Sequence, residues 1–222
     1  ISTKQKRLDF FDFLKFRKQT EDKIIYFQDK HFSNCHSVAE KILRIITSQK
    51  YRAGSSKLIK LEKYQDQFLS KFQKNIDKNE PVKFMLPAFP FKIRNPLKSS
   101  RMDADLAEVA SFCKFNEINS QIKKVYSPGA QFYIFHDGHL YYRHFLHTKE
   151  DVDRYFASLK NYVRKLELEN VIILKDALLE LEKFNNFQDI YNEARKEMQN
   201  LWNVAKDTND KILTIRKSSG DN

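Results

Sequence analysis

The sequence predicts an α/β fold with a mixed β-sheet flanked by helices, behind a mostly helical N-terminal third. After residue 78, short apolar runs of strand length alternate with longer segments of helical periodicity, a pattern typical of strands separated by helices. The pair Asp137-Gly138 lies between two apolar runs and predicts a β-hairpin, whose antiparallel strands make the predicted sheet mixed. We therefore expect a helical region at 1–78, an α/β core at 79–215 and a frayed polar tail at 216–222.

Composition describes a globular protein with a surplus of positive charge. The 222 residues are 41% hydrophobic and 31% charged, and 40 basic against 29 acidic residues give a formal net charge of +11. This charge favours an anionic partner such as a phosphorylated substrate, although basic residues spread along a chain also describe an ordinary solvated surface. The sequence contains no pattern that reads DNA or RNA, so we expect no nucleic-acid partner.

Apolar runs and cysteines indicate a cytoplasmic protein. No run approaches the ~20 apolar residues of a membrane span, and residues 1–10 lack the apolar core of a signal peptide. Cys35 and Cys113 form no Cys-x-x-Cys motif, so we expect two small packed side chains rather than a zinc or redox site. The oligomeric state stays open.

The N-terminal region is predicted from the helical spacing of its apolar residues. The run Lys23–Phe27 is typical of a short strand. Ser33 or Asn34 is the expected N-cap of a helix that extends to about Gln49. The predicted helices are Leu8–Arg17, about 33–49, and Ile59–Ile76.

A central strand is predicted at Val82–Leu86, and a stiff, extended loop follows it as far as Asn95. Pro87 and Pro90 cannot donate to a sheet ladder, and each holds the preceding residue extended. Ligands of open α/β sheets bind at the carboxyl ends of strands, so this loop is a candidate binding site. A proline-rich connector whose aromatic rings fill the core is the alternative interpretation. The loop residues available for binding are Phe89, Phe91, Lys92, Arg94 and Asn95.

The remaining elements follow from periodicity and turn signals. Thr148, with Asp151 three residues later, resembles a capping box at the start of a helix. The predicted helices are Asp103–Lys124, Thr148–Leu166, Asp176–Phe184 and Gln188–Ala205, and the predicted strands are Gln131–His136, His139–Phe145 and Val171–Leu174.

Basic residues cluster between the loop that contains Pro87 and Pro90, called the proline loop below, and the next predicted helix. Lys92, Arg94 and Arg101 lie within ten residues, with Lys98 between them. A helix N-terminus with flanking cations suits a phosphate group, and a solvated basic loop is the alternative. Neither G-x-G-x-x-G nor a Walker pattern occurs, so we expect no nucleotide cofactor.

Histidines concentrate around the predicted hairpin, where His136, His139, His144 and His147 lie within twelve residues. In a hairpin, His136 and His139 would face each other and could hold a metal ion with Asp137. Opposed histidines at a hairpin end also occur without metal, and we predict no metal site.

The chain resembles the isonitrile (isocyanide) synthase family, the pyoverdine/dityrosine biosynthesis proteins. The resemblance covers about Pro81–Leu166, and its motifs occur in the order found in the family. The motifs are L-P-A-F-P-F-K at Leu86–Lys92 with Asn95-Pro96, Asp105–Glu108, Tyr126–Ala130, Asp137-Gly138, and the following helix with Tyr155.

The resemblance implies a Rossmann-like catalytic domain and implies no metal, nucleotide or other cofactor. The implied reaction joins the amine of an amino acid to ribulose 5-phosphate, whose C2 becomes the carbon of an isonitrile or N-formyl group. A shortened, non-catalytic relative that binds a phosphorylated small molecule or a protein partner is the alternative. Residues expected to bind the substrates are Phe89, Phe91, Lys92, Arg94, Asn95, Arg101 and Tyr126. Residues expected to transfer protons are Asp105, Glu108, His136 and Asp137.

Overall fold

The structure, a computed structural model, describes residues 32–48, 51, 61–92, 102–142 and 147–206. The chain divides into two compact units, Ile1–Ala177 and Leu178–Asn222. All residues with a predicted role belong to the first unit. The predictions that lie outside the described residues include the helix Leu8–Arg17, the strand Lys23–Phe27, the tail at 216–222, and Arg94, Asn95, Lys98, Arg101 and His144.

Three parallel strands form the described sheet, in the order β1-β2-β3. They are β1 (Val82–Pro87), β2 (Ala130–His136) and β3 (Ile172–Asp176). Pro87 fits within β1 because this strand lies at the edge of the described sheet. Parallel strands bring their carboxyl ends to one edge, here next to His136 and Asp176, which pair in the register. The predicted α/β class is confirmed.

Helices connect the strands and cover the sheet. In the first unit these are α1 (Val38–Ile46), α2 (Leu61–Asp77), α3 (Leu106–Val125), α4 (Gly138–Tyr141) and α5 (Lys149–Lys165). They are followed by α6 (Ala177–Leu181) and α7 (Phe187–Lys206). Ser37 caps α1, so the predicted N-cap at Ser33 or Asn34 is wrong. No helix in the described ranges is both long and apolar enough to cross a membrane.

The predicted hairpin at Asp137-Gly138 is wrong. β2 ends at His136, and the chain turns into α4, where the N–H of Leu140 donates to the carbonyl of Asp137. A two-residue hairpin of this type needs positive φ at both turn residues, whereas Asp137 has a φ of −98°. β2 already pairs with a parallel strand on each side, so a returning strand has no free ladder to join. The described sheet is therefore parallel rather than mixed.

The core lies between the sheet and helices α1, α3 and α5. Ala130, Phe132 and Ile134 alternate along β2 and are buried on one face. The ring of Phe132 lies 5.2 Å from Phe84 and 4.8 Å from Phe115. The two cysteines are half-buried free thiols that pack against this core, as the sequence predicts. The core thus holds β2 and the starts of α3 and α5 in place around one edge of the sheet.

Candidate active site

Two groups of polar side chains lie at the carboxyl edge of the sheet, where α/β proteins commonly bind ligands. The lysine cluster follows β1 and includes the start of α3; its members are Lys92, Asp105, Glu108 and Tyr155. The histidine cluster follows β2 and β3; its members are His136, His139, Asp153 and Asp176.

Lys92 places its ammonium group between two carboxylates. Its Nζ lies 3.2 Å from Oε2 of Glu108 and also pairs with Oδ2 of Asp105. The side chains of Lys92 and Glu108 are only 12% and 9% exposed, whereas that of Asp105 is 49% exposed. An ammonium group withdrawn from water needs an opposite charge nearby. With two carboxylates and one ammonium, the cluster carries a net negative charge, and Asp105 is its solvent-facing member.

A capping box at the start of α3 positions both carboxylates. The side chain of Asp105 accepts a hydrogen bond from the N–H of Ala107 at 2.9 Å, and its own N–H donates to Oε2 of Glu108 at 2.6 Å. The Asp-x-x-Glu spacing produces this reciprocal arrangement. The helix consequently begins at Leu106, three residues later than the sequence predicts.

The pKa of Asp105 reflects opposing influences. Burial on its own would raise this pKa. Hydrogen bonds from Lys92 and from the N–H of Ala107, together with the charge of Lys92, outweigh burial and lower the pKa of Asp105 below its usual value. Asp105 is therefore a carboxylate at neutral pH.

Tyr155 is a member of the lysine cluster that the sequence analysis left without a role. Its hydroxyl donates to Oε1 of Glu108 at 3.0 Å, and the residue is 2% exposed. Burial, followed by the charge of Glu108, raises the pKa of the Tyr155 hydroxyl well above its usual value, so the hydroxyl keeps its proton. The sequence contains one indication of this role. Tyr155 places a hydroxyl group on the otherwise apolar stripe of α5, between Val152 and Leu159.

The histidine cluster places one imidazole between two carboxylates. Nε2 of His139 lies 2.9 Å from Oδ1 of Asp153, and its Nδ1 contacts Oδ2 of Asp176. Each ring nitrogen of His139 therefore faces a carboxylate oxygen. Sequence reasoning predicted His136 near His139 but did not assign a role to either aspartate.

His136 is enclosed beside this cluster. It has no exposed surface, and its ring stacks on Phe156 at 4.5 Å and lies 5.6 Å from the ring of His139. Burial, followed by the charge of His139, lowers the pKa of His136 to about 4, so the ring is neutral at neutral pH. Neither ring nitrogen has a hydrogen-bond partner among the described residues.

The remaining predicted residues occupy different places. The predicted extended conformation before Pro90 is wrong at Phe89, which has a left-handed φ of 58°, uncommon for a residue with a Cβ. The ring of Phe89 packs 5.5 Å from that of Phe112. The ring of Phe91 lies 4.5 Å from that of His147. These half-buried rings face core residues and hold the loop in position.

Two other predicted residues lie apart from the lysine cluster. Tyr126 follows α3 at the amino end of the strands, where its hydroxyl donates to the carbonyl of Glu80 at 2.8 Å. Asp137 follows β2, and its Oδ1 is buried without a hydrogen-bond partner in the described part of the chain. Burial raises the pKa of Asp137 above its usual value. The structure therefore brings Lys92, Asp105 and Glu108 together, but not Tyr126.

Gly138 lies where the proline loop packs against the histidine cluster. A methyl group at this position would lie 2.0 Å from the carbonyl oxygen of Pro90, 2.6 Å from Cε1 of His136 and 2.8 Å from Cγ1 of Val152. Contacts this short are incompatible with any side chain. Glycine is therefore required here for close packing of the loop, the end of β2 and α5.

Comparison with known proteins identifies similar sequences and a similar fold. The model of a family described as pyoverdine/dityrosine biosynthesis protein matches residues 72–219. The chain is 30% identical over 103 residues to an L-tryptophan isonitrile synthase from Fischerella ambigua, covering 46% of this chain and 32% of that protein. It is 24% identical over 192 residues to an L-tyrosine isonitrile synthase from Xenorhabdus nematophila, covering 85% of this chain and 56% of that protein.

A similar fold is found in the PvcA protein from Pseudomonas aeruginosa. Its crystal structure matches with a TM-score of 0.62 at 20% sequence identity, covering 82% of this chain and 61% of that chain. At this identity the likeness shows a shared fold. The chain thus spans about a third to three fifths of the length of these three proteins.

Proposed function

Because the chain belongs to the pyoverdine/dityrosine biosynthesis protein family, we propose that it acts as an isonitrile synthase. It would convert the amine of an amino acid to an isonitrile or N-formyl group, with ribulose 5-phosphate as the carbon donor. The matched relatives are named as synthases acting on L-tryptophan and L-tyrosine, which supports an amino-acid substrate. The sugar-phosphate donor and a Rossmann-like core are proposed from the family resemblance.

The observation that carries this proposal is the lysine cluster. It unites the end of the proline motif with the Asp-x-x-Glu segment at the carboxyl edge of the sheet. Joining an amine to a ketone and then cleaving a carbon–carbon bond both require proton transfer by positioned groups. We assign the proton acceptor to Asp105, because its carboxylate is ionised and half-exposed.

Glu108 and Tyr155 would support this chemistry by positioning Lys92. Glu108 accepts from Lys92, from the N–H of Asp105 and from the hydroxyl of Tyr155, so its two oxygens are already engaged. Lys92 would donate to an oxygen of the sugar. Because two carboxylates already neutralise the charge of Lys92, the predicted cations Arg94 and Arg101 would bind the phosphate group. We assign no step of the reaction to His136 or Asp137.

The test is product analysis by mass spectrometry with ribulose 5-phosphate labelled with ¹³C at C2. We expect the label in an isonitrile or N-formyl product formed from an aromatic amino acid. Lys92→Gln should lower the rate by more than about tenfold, whereas Lys83→Gln, at a 44% exposed lysine of β1, should not. Absence of labelled product with every amino acid would refute the proposal. Calorimetric binding of ribulose 5-phosphate without turnover would support the non-catalytic alternative.

A further inference from the structure

We infer that His136, His139 and Asp176 form a binding site for a divalent transition-metal ion such as zinc. Each residue offers one ligand atom, and these atoms all lie within 4.8 Å of one another. The ligands come from three elements: the last residue of β2, helix α4 and the last residue of β3. His136 and Asp176 are register partners in neighbouring strands, so the sheet itself fixes their separation.

The first independent observation is the state of His136. The residue has no exposed surface, and neither ring nitrogen has a hydrogen-bond partner among the described residues. A buried polar group without a partner is costly and uncommon, and a bound ion is one of the few arrangements that explains it. Since no described group occupies either ring nitrogen of His136, a ring nitrogen is open to coordinate a metal ion.

The second observation is the orientation of His139. Its Nε2 donates to Oδ1 of Asp153 at 2.9 Å, and Lys149 holds the other oxygen of that carboxylate at 2.7 Å. Metal-binding histidines commonly donate their outer ring nitrogen to a carboxylate, which fixes the ring and its tautomer. With Asp153 in this role, Nδ1 of His139 points towards Asp176 and supplies the metal ligand.

The ligand chemistry favours a first-row transition metal. Two imidazole nitrogens and one carboxylate oxygen suit Zn²⁺ and related ions, whereas Mg²⁺ and Ca²⁺ prefer oxygen ligands throughout. A tetrahedral zinc ion spaces its ligands about 3.4 Å apart, given Zn–N distances of about 2.0–2.1 Å. Small rotations of the side chains would bring the three ligand atoms together. Three protein ligands leave a fourth position for a water molecule.

The first test is metal binding by the full chain. After removal of metals with a chelator and gel filtration with Zn²⁺, elemental analysis should find about one zinc ion per chain, and Ca²⁺ should not compete. His136→Gln, His139→Gln and Asp176→Asn should each weaken zinc binding by at least about tenfold, and Asp153→Asn by about 10- to 100-fold. His147→Gln, at another buried histidine, should bind zinc as the unmodified chain does.

The second measurement needs no variant and so does not depend on how the variants fold. X-ray absorption at the zinc edge should show scattering from two imidazole rings, and Co²⁺ should give the visible bands of a four- or five-coordinate ion. The inference is overturned if the unmodified chain retains no stoichiometric zinc, if the absorption spectrum lacks imidazole scattering, or if folded His136→Gln and Asp176→Asn bind zinc with undiminished affinity.

Discussion

Lys92 carries a positive charge into a position that is only 12% exposed, and the two carboxylates beside it contribute unequally. The pair with Glu108 is shielded from water on both sides, whereas the pair with Asp105 is half-exposed. Removing one partner of a buried ion pair is strongly destabilising, but a solvent-exposed pair contributes little. Glu108 should therefore matter more for stability, and Asp105 more for chemistry at the surface of the site.

We expect Tyr155→Phe to lower the free energy of unfolding by about 1–2 kcal/mol, because Glu108 loses a buried hydrogen-bond donor. Chemical denaturation measures this change. Tyr141→Phe is the control, since Tyr141 is 44% exposed, and it should change stability by less than about 0.5 kcal/mol. Equal effects of the two substitutions would show that the Tyr155–Glu108 hydrogen bond does not stabilise the fold.

Asp105→Asn should change how stability depends on pH. Asparagine is also a good N-cap, so the substitution mainly removes the charge. The fold lowers the pKa of Asp105, so the folded chain binds this proton less readily than the unfolded chain. The charge therefore contributes stability above the unfolded pKa of about 3.9, and this contribution is lost as the pH falls through the lower folded pKa.

Thermal unfolding from neutral to acidic pH measures this effect. The unmodified chain should be more stable than Asp105→Asn near neutral pH, by a small amount because the carboxylate is half-exposed. The two curves should converge in acid. A difference that grows with acidification would contradict the assignment of a lowered pKa.

At the scale of the residue, sequence patterns can group side chains only where the partners are close along the chain. Asp105 and Glu108 are three residues apart, and the motif that contains Lys92 marked its loop. Tyr155 was missed because its partner Glu108 is 47 positions away, and Asp176 because His139 is 37 positions away. Such contacts form only when the strands pair, so the spacing of residues along the sequence cannot predict them.

At the scale of elements, apolar periodicity predicted the three described strands to within two residues. The hairpin prediction failed for a reason that lies outside its own segment. Asp137-Gly138 is a strong local turn signal, but both edges of β2 are occupied by β1 and β3. A turn motif in the sequence does not indicate whether the strand beside it has an unpaired edge at which another strand could pair.

The packing of α4 beneath the proline loop makes a prediction about Gly138→Ala. The added methyl would overlap the carbonyl of Pro90, and overpacking of this kind costs about 1–3 kcal/mol or more. We expect lower thermal stability and, because the loop must shift, a loss of turnover per folded molecule. Circular dichroism and the isotope-labelled product assay measure these two effects.

Gly129→Ala is the matched control for this element. Gly129 has a φ of 73°, and a methyl there would lie 2.4 Å from Oδ1 of Asn119, so this substitution also destabilises the fold. Gly129 lies at the amino end of β2, away from the lysine cluster. Its folded fraction should keep full turnover. If Gly138→Ala and Gly129→Ala lost equal turnover per folded molecule, position 138 would affect activity only through the stability of the fold.

At the scale of the whole molecule, net charge does not locate the site. The chain has a formal charge of +11, yet Lys92 is outnumbered by Asp105 and Glu108 within the lysine cluster. The histidine cluster likewise contains two carboxylates. The surplus of lysine and arginine thus gives little information about where chemistry occurs, although it favours an anionic ligand in general.

Ligand binding should be visible as a change in the stability of the entire chain. Ribulose 5-phosphate at about 100 times its dissociation constant would stabilise the folded state by about 2.7 kcal/mol. For a chain of this size that corresponds to a rise in Tm of about 5–10 °C, which differential scanning fluorimetry measures. Inorganic phosphate should give a smaller rise, and Lys92→Gln should reduce the response to the sugar phosphate. An unchanged Tm at saturating sugar phosphate would contradict binding.

The absence of a side chain at Gly138 constrains how the sequence around this position can change in evolution. The carbonyl of Pro90 and the ring of His136 both border the space that a side chain at position 138 would need. A descendant with a side chain at position 138 would need both the loop at Pro90 and the end of β2 to shift. The two stretches should therefore be inherited together, as a single architectural unit.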